Sequence, residues 1–178
     1  IIDPCNPICY LTAMLDIVTL GDDVLRKQAS LIPDIDRNIS DLAAAMVDSM
    51  HVGKGIGLAG PQVGELKRIF VTHVEGDTPR VFINPQIIQT SEELGAYEEG
   101  CLSIPGIYTD VVRPVMVSVQ AWNEQGRPFT VDAEGVLARV ILHEYDHLNG
   151  VLFLDHVDEK KRLRLTRLYD RKFRPATA

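Results

Sequence analysis

The chain has 178 residues, 46% of them apolar and 24% charged, with a net charge of −7. That length suits one domain with its own core, and the lack of any apolar run of about 18 residues excludes a helical membrane span, so no direct membrane binding is expected. The acidic balance argues against general or sequence-specific nucleic-acid binding, and three cysteines are too few for a disulfide framework, which favours a reducing compartment.

Residues 1–13, "IIDPCNPICYLTA", carry two prolines and two of the three cysteines, Cys5 and Cys9, without a clear period. Met14 then opens "MLDIVTLGDDVLRKQA", which reads like a natural start. Residues 1–13 are therefore taken as an extension, non-native or upstream, and 14–178 as a single domain. The extension holds no Arg or Lys, which speaks against a transit peptide. Cys5 and Cys9 read as structural or artefactual.

"ISDLAAAMVDSMHV" reads as a helix capped by Ser40, with an apolar stripe of Leu42, Met46, Val47 and Met50. "GKGIGLAGPQVG" breaks it with five glycines and a proline. "RIFVTHV", "RVFINPQII" and "VMVSVQAWN" read as strands, and "EQGRP" as a turn before "FTVDAEG". A second helix is expected over about 134–149, stopped by Gly150. A strand-like "GVLFLD" follows, then an amphipathic helix over roughly 159–172. Strands between two main helices, with a third at the end, predict an α+β fold: small antiparallel or mixed sheets around a central helix, with an N-terminal and a C-terminal helix.

"HEYDH", His143 to His147, carries the sharpest chemistry. Residues i and i+4 share a helix face, so two imidazoles can grip one metal ion, and Glu144 can act as general base on a metal-bound water. The bare pattern also occurs on solvated charged faces. Register favours the interior: His147, His143, Val140 and Val136 form one stripe, and Leu137, Ile141, Tyr145 and Leu148 an apolar face beside it. Buried imidazoles need partners, and a metal supplies them. The stripe also predicts an apolar pocket for an unbranched or aliphatic side chain. A catalytic site wants a third protein ligand. The candidates are His156, Asp155, Asp158 and Glu159 downstream, although the spacing lacks the second glycine of "HExxHxxGxxH", or Cys101 in "GCLSIPG", whose thiolate is a strong ligand.

"GIGLAGPQVG" (55–64), "EGCLSIPG" (99–106) and "HEYDHLNG" (143–150), in that order, resemble the peptide deformylase family. "LRK", "FINP" and "GVLAR" extend the resemblance over 14–174. It implies hydrolysis of the formyl group from the N-terminal formyl-methionine of nascent polypeptides. It implies one divalent metal, typically Fe²⁺, with Zn²⁺ or Ni²⁺ able to take its place. By the resemblance, Cys101, His143 and His147 are ligands and Glu144 the acid/base. The Gln62 amide and the Leu102 backbone N–H stabilise the oxyanion, and Asp146 pairs with Arg113 in support.

On this reading Ile56 and Gly57 of "GIG" lie along the substrate backbone like an added strand. Val136 and Val140, with Ile56 opposite, hold the methionine side chain. Glu99 and Gly100 border the substrate. Three positions depart from the family pattern: Gly60 for alanine, Leu142 for glutamine and Tyr108 for arginine. His51, His73 and His156 match no motif position and read as ordinary surface or core residues. Residues 160–174 hold eight basic residues and one acidic. They read either as a charged outer face packed through Leu165, Leu168 and Tyr169, or as a ribosome-docking helix. The implied location is bacterial cytoplasm, or else a mitochondrion or plastid.

Overall fold

A computed structural model describes residues 14–173. Cys5 and Cys9, with the rest of 1–13, lie outside the described residues. A 3₁₀ turn, Asp23–Arg26, leads to helix α1, Arg37–Val52. Strands follow at β1 (Gly57–Ala59), β2 (Ile69–Thr72), β3 (Arg80–Thr90), β4 (Leu94–Cys101), β5 (Ile104–Pro114), β6 (Met116–Trp122) and β7 (Pro128–Glu134). The chain closes with α2 (Gly135–His147), a 3₁₀ turn at Phe153–His156, and α3 (Glu159–Phe173).

Five strands make an antiparallel sheet in the order β1-β2-β3-β6-β7, and β4 and β5 form a separate hairpin. The fold is α+β, as expected. Strand β2 is buried at every residue because helices cover both faces of the sheet. Side chains alternate along a strand, so Ile69 and Val71 pack with Met46 and Met50 of α1, while Phe70 packs with Ile141 and Leu148 on the α2 side. Each such fully buried side chain contributes about 1.5–3 kcal/mol. A third cluster joins the hairpin, through Ile104, Ile107 and Val111, to Phe153, Leu165 and Tyr169. Helix α2 thus lies between the sheet and the hairpin, and the site forms there.

Several local expectations need correction. Asp36, not Ser40, caps α1: its Oδ1 accepts from the Ile39 N–H at 3.0 Å, and Ser40 Oγ instead donates to the Glu124 carbonyl at 3.0 Å. A carboxylate at the cap also suits the positive end of the helix dipole. "GVLFLD" is not a strand. Leu152, Phe153 and Leu154 are all buried around a 3₁₀ turn, an apolar run whose burial comes from the third cluster and not from a ladder. The β4–β5 hairpin has no counterpart in the sequence reading, because "LGAYEEG" shows no apolar alternation. Gly150 does end the α2 region. Its φ is +73°, and a Cβ there would meet the Arg26 carbonyl at 2.5 Å.

Candidate metal centre

One turn of α2 separates His143 from His147, and their ring centroids are 5.0 Å apart. Cys101, the last residue of β4, comes in from the hairpin. Its Sγ lies 3.3 Å from His147 Nε2. One ligand atom from each of Cys101, His143 and His147 falls within 4.8 Å of the others, and among the described residues no other such group of three forms. The downstream candidates are engaged elsewhere. His156 Nε2 lies 2.6 Å from Asp146 Oδ2, Asp155 pairs with Arg26, and Asp158 Oδ1 accepts from the Lys161 N–H. Glu159 opens α3.

The donors suit a divalent ion. His143 Nδ1 lies 2.8 Å from Glu99 Oε2. A carboxylate only accepts, so Nδ1 carries a proton and Nε2 is the nitrogen that can face an ion. Burial opposes a charge on this ring, but the hydrogen bonds with Cys101 and Glu99 outweigh it and hold His143 well above its ordinary pKa, so an ion at Nε2 would bind in competition with a proton. Two arginines hold Glu99 in turn. Arg113 Nε and Nη2 donate to its two oxygens at 2.7 and 3.0 Å, and Arg139 Nη1 donates at 3.0 Å. Burial opposes the Glu99 charge, but the hydrogen bonds from His143 and Arg113 outweigh it and hold its carboxyl well below the usual range. Arg113 also reaches Asp146 Oδ2 at 2.6 Å, so the expected Asp146–Arg113 pair is in contact. Burial likewise drives His147 well below its ordinary pKa, which favours a neutral imidazole. One cysteine sulfur with two imidazole nitrogens is a donor set that Fe²⁺, Zn²⁺ or Ni²⁺ accepts.

A cleft of about 600 Å³ opens beside the three donors. Glu144 lies in it with Oε2 buried and without a partner, and burial pushes its carboxyl up to about 7. A group so poised can take and return a proton near neutrality. Gln62 is fixed by its Oε1, which accepts from the Ala59 N–H at 2.7 Å. Its Nε2 points to Cys101 Sγ at 3.4 Å and Ser103 Oγ at 3.2 Å.

Strand β1 is a sheet edge, so its outer side can accept another strand. At Gly57 a Cβ would collide with the Glu144 carboxylate and meet Val140 Cγ1 at 2.7 Å, so only glycine lets this edge come so close. At Gly100 a Cβ would meet the Tyr108 ring at 2.5 Å, which places Tyr108 over the rim. Leu102, Ile56 and Val140 also line the cleft.

Two of the residues expected to contact substrate sit apart from the others. Val136 is 53% exposed and lies outside the cleft, whereas Val140 is buried in its wall. Helical register aligns the two valines, but the first turn of α2 has already emerged at the surface. Glu99 borders the cleft, but His143, Arg113 and Arg139 engage both carboxylate oxygens. Its side chain is therefore committed to the histidine and the two arginines. Arg139 is the residue that the sequence reading missed. Besides Glu99, it donates to the Val111 and Gly95 carbonyls at 3.0 and 2.8 Å, which ties α2 to the hairpin. Its signal was an arginine one turn before His143, in the otherwise apolar first half of the helix.

The family model described as polypeptide deformylase matches residues 14–163. The chain is 50% identical over 152 residues to the peptide deformylase of Synechococcus sp. strain CC9311, covering 83% of this chain and 75% of that protein. It is 49% identical over 148 residues to that of Treponema pallidum strain Nichols, covering 83% and 91%. The crystal structure of a peptide deformylase from Synechococcus elongatus in complex with actinonin superposes with a TM-score of 0.83 at 46% identity, covering 89% of this chain and 87% of that one. A family match running through all three motifs, relatives near half identity and this shared architecture establish that the chain belongs to the polypeptide deformylase family of hydrolases.

Proposed function

We propose that the protein removes the formyl group from the N-terminal formyl-methionine of nascent polypeptides, with one divalent metal held by Cys101, His143 and His147. The observation that carries this is the unpartnered, buried Oε2 of Glu144 beside those three donors, in a cleft bordered by Gly57 of the edge strand. When bound, the ion, Fe²⁺ or in its place Zn²⁺ or Ni²⁺, supplies Lewis acidity toward water and the formyl oxygen.

The chain's own residues do the rest. The β1 edge at Gly57 pairs with the substrate backbone, and Val140 and Ile56 grip the methionine side chain. Gly100 leaves room for the chain to pass. Glu144 takes a proton from the attacking water at its carboxylate. Gln62 Nε2 and the Leu102 backbone N–H donate to the oxyanion. As the C–N bond breaks, Glu144 returns the proton to the departing amine, leaving formate and a free N-terminus. Glu99, Arg113, Arg139 and Asp146 keep His143 in the right tautomer and place.

Helix α3 fits a ribosome contact. Leu165 and Tyr169 face inward, while Lys160, Arg164, Arg167 and Arg171 are exposed beside Leu163. Leu168, expected to pack, is 43% exposed on that outer face. The bacterial relatives favour bacterial cytoplasm over an organelle. The test is formate release from a formyl-Met peptide by Fe²⁺- or Ni²⁺-loaded protein. Glu144→Gln should keep its metal and lose turnover by at least about a hundredfold. Full activity in that variant would remove Glu144 from the mechanism.

A further inference from the structure

Among the described residues the backbone takes a left-handed φ at two positions that are not glycine, Asn84 (+50°) and Lys54 (+57°). At Asn84 the side chain explains the residue. It accepts from the Ile32 N–H and donates to the Ile32 carbonyl, both at 2.8 Å, and asparagine tolerates this region. Lys54 has no such reason. It follows α1 in "GKG", where the Lys54 N–H donates to the His51 carbonyl and the Gly55 N–H to the Met50 carbonyl, each at 2.9 Å. Those two bonds close the helix around a left-handed residue, a place that glycine usually takes. Glycines stand on both sides, yet this position carries a lysine. Among the described residues its ammonium makes no hydrogen bond or ion pair, so it does not tie down the helix end. Strain that no contact in the fold explains marks a functional position.

Lys54 is exposed on the wall of the cleft. Arg139, also in that wall, is engaged by Glu99, Val111 and Gly95. Chain direction tells which part of a substrate reaches Lys54. Gln62, whose Nε2 points to Cys101, follows β1, and Lys54 precedes it. A peptide that lays its formyl end by Gln62 and pairs with the β1 edge therefore runs back past Gly57 and Ile56 toward Lys54. Each extended residue advances about 3.4 Å, so with methionine at Ile56 the second and third residues come opposite Gly55 and Lys54. Glu98 is exposed on the facing hairpin wall.

We infer that Lys54 reads the second and third residues of the substrate and favours acidic side chains there. The inference rests on the deformylase reading proposed above. The ammonium supplies a charge that the rest of the wall lacks, held at the rim by the backbone turn that ends α1. An exposed ion pair is a weak, salt-sensitive contact, and the Glu98 carboxylate across the cleft opposes it, so the discrimination is a small factor.

The test compares formyl-Met-Glu-Glu-amide with its neutral isostere formyl-Met-Gln-Gln-amide on the Ni²⁺-loaded full chain. In low salt kcat/KM should be about threefold higher for the Glu peptide, and the ratio should fall to about one in about 0.5 M salt. Lys54→Met should bring the low-salt ratio to one or below, and Lys54→Arg should keep it. Lys54→Gly should lose the preference yet melt at least as high as wild type, because glycine takes a left-handed φ without strain. Calorimetric binding of both peptides to the Glu144→Gln protein should show the same ratio without turnover. If neither peptide releases formate, the deformylase reading fails and the binding ratio alone decides the inference. A wild-type ratio of one, a preference for the Gln peptide, or an acidic preference that survives in Lys54→Met overturns it. So does a Lys54→Gly protein that melts lower, which would assign the lysine to the helix end.

Discussion

His143 Nδ1 and Glu99 Oε2 stand 2.8 Å apart, and this bond joins the metal-facing helix to the hairpin that delivers Cys101. Removing the Glu99 charge while keeping its shape isolates what the bond does. Glu99→Gln is expected to weaken metal affinity by about 10–100-fold, read by competition with a chelator. Unchanged affinity would show that the ring is held without it.

Arg139 is 8% exposed and shares Glu99 with Arg113. Arg139→Met leaves a buried carboxylate short of one partner. Urea unfolding should report a loss of about 3 kcal/mol, at the low end for a broken buried pair because Arg113 remains. Arg139→Lys should recover only part, since one ammonium cannot reach Glu99, Val111 and Gly95 together. A Met variant as stable as wild type would sink this account.

Gly57 sits against Glu144 and Val140. Gly57→Ala should lower kcat about a hundredfold by displacing the Glu144 carboxylate, with metal content unchanged. Loss of metal instead would mean that the added methyl disturbs α2 as a whole.

The two valines of the α2 stripe should behave differently. Val140→Ala should cut kcat/KM for formyl-Met substrates about tenfold, because the pocket loses packed apolar surface. Val136→Ala, at an exposed position, should leave it unchanged. Equal effects at both positions would restore the pocket expected from helical register.

Asp155 accepts from the Leu152 N–H at 2.8 Å and pairs with Arg26. Burial raises its pKa, but the Arg26 and Leu152 hydrogen bonds outweigh that and hold it below its ordinary 3.8. A carboxyl depressed by folding stabilises fully above its unfolded value, and the contribution fades as pH falls through the folded value. Asp155→Asn should therefore lower Tm by a few degrees at neutral pH. That gap should close in acid below 3.8. A gap that stays constant across pH would assign the effect to shape alone.

Much of the site was legible in the sequence. The four-residue step from His143 to His147 and the 3.6-residue period put both imidazoles on one face, whatever surrounds the helix. Apolar neighbours on that face told that it was buried, and the "GIGLAGPQVG" glycines marked where backbone must come close. Local patterns of this kind depend on bond geometry within one element. What the tertiary structure alone decided are distances between elements. It brought Cys101 from a hairpin with no alternating pattern, and it set Glu99 against His143. It set Arg139 on Glu99, and it brought His73 against His51 across 22 residues of chain. The period of a helix gives an angle around its axis but not depth along it. Val140 and Val136 therefore look equivalent in sequence, and only the docking of α2 between sheet and hairpin buries one and exposes the other.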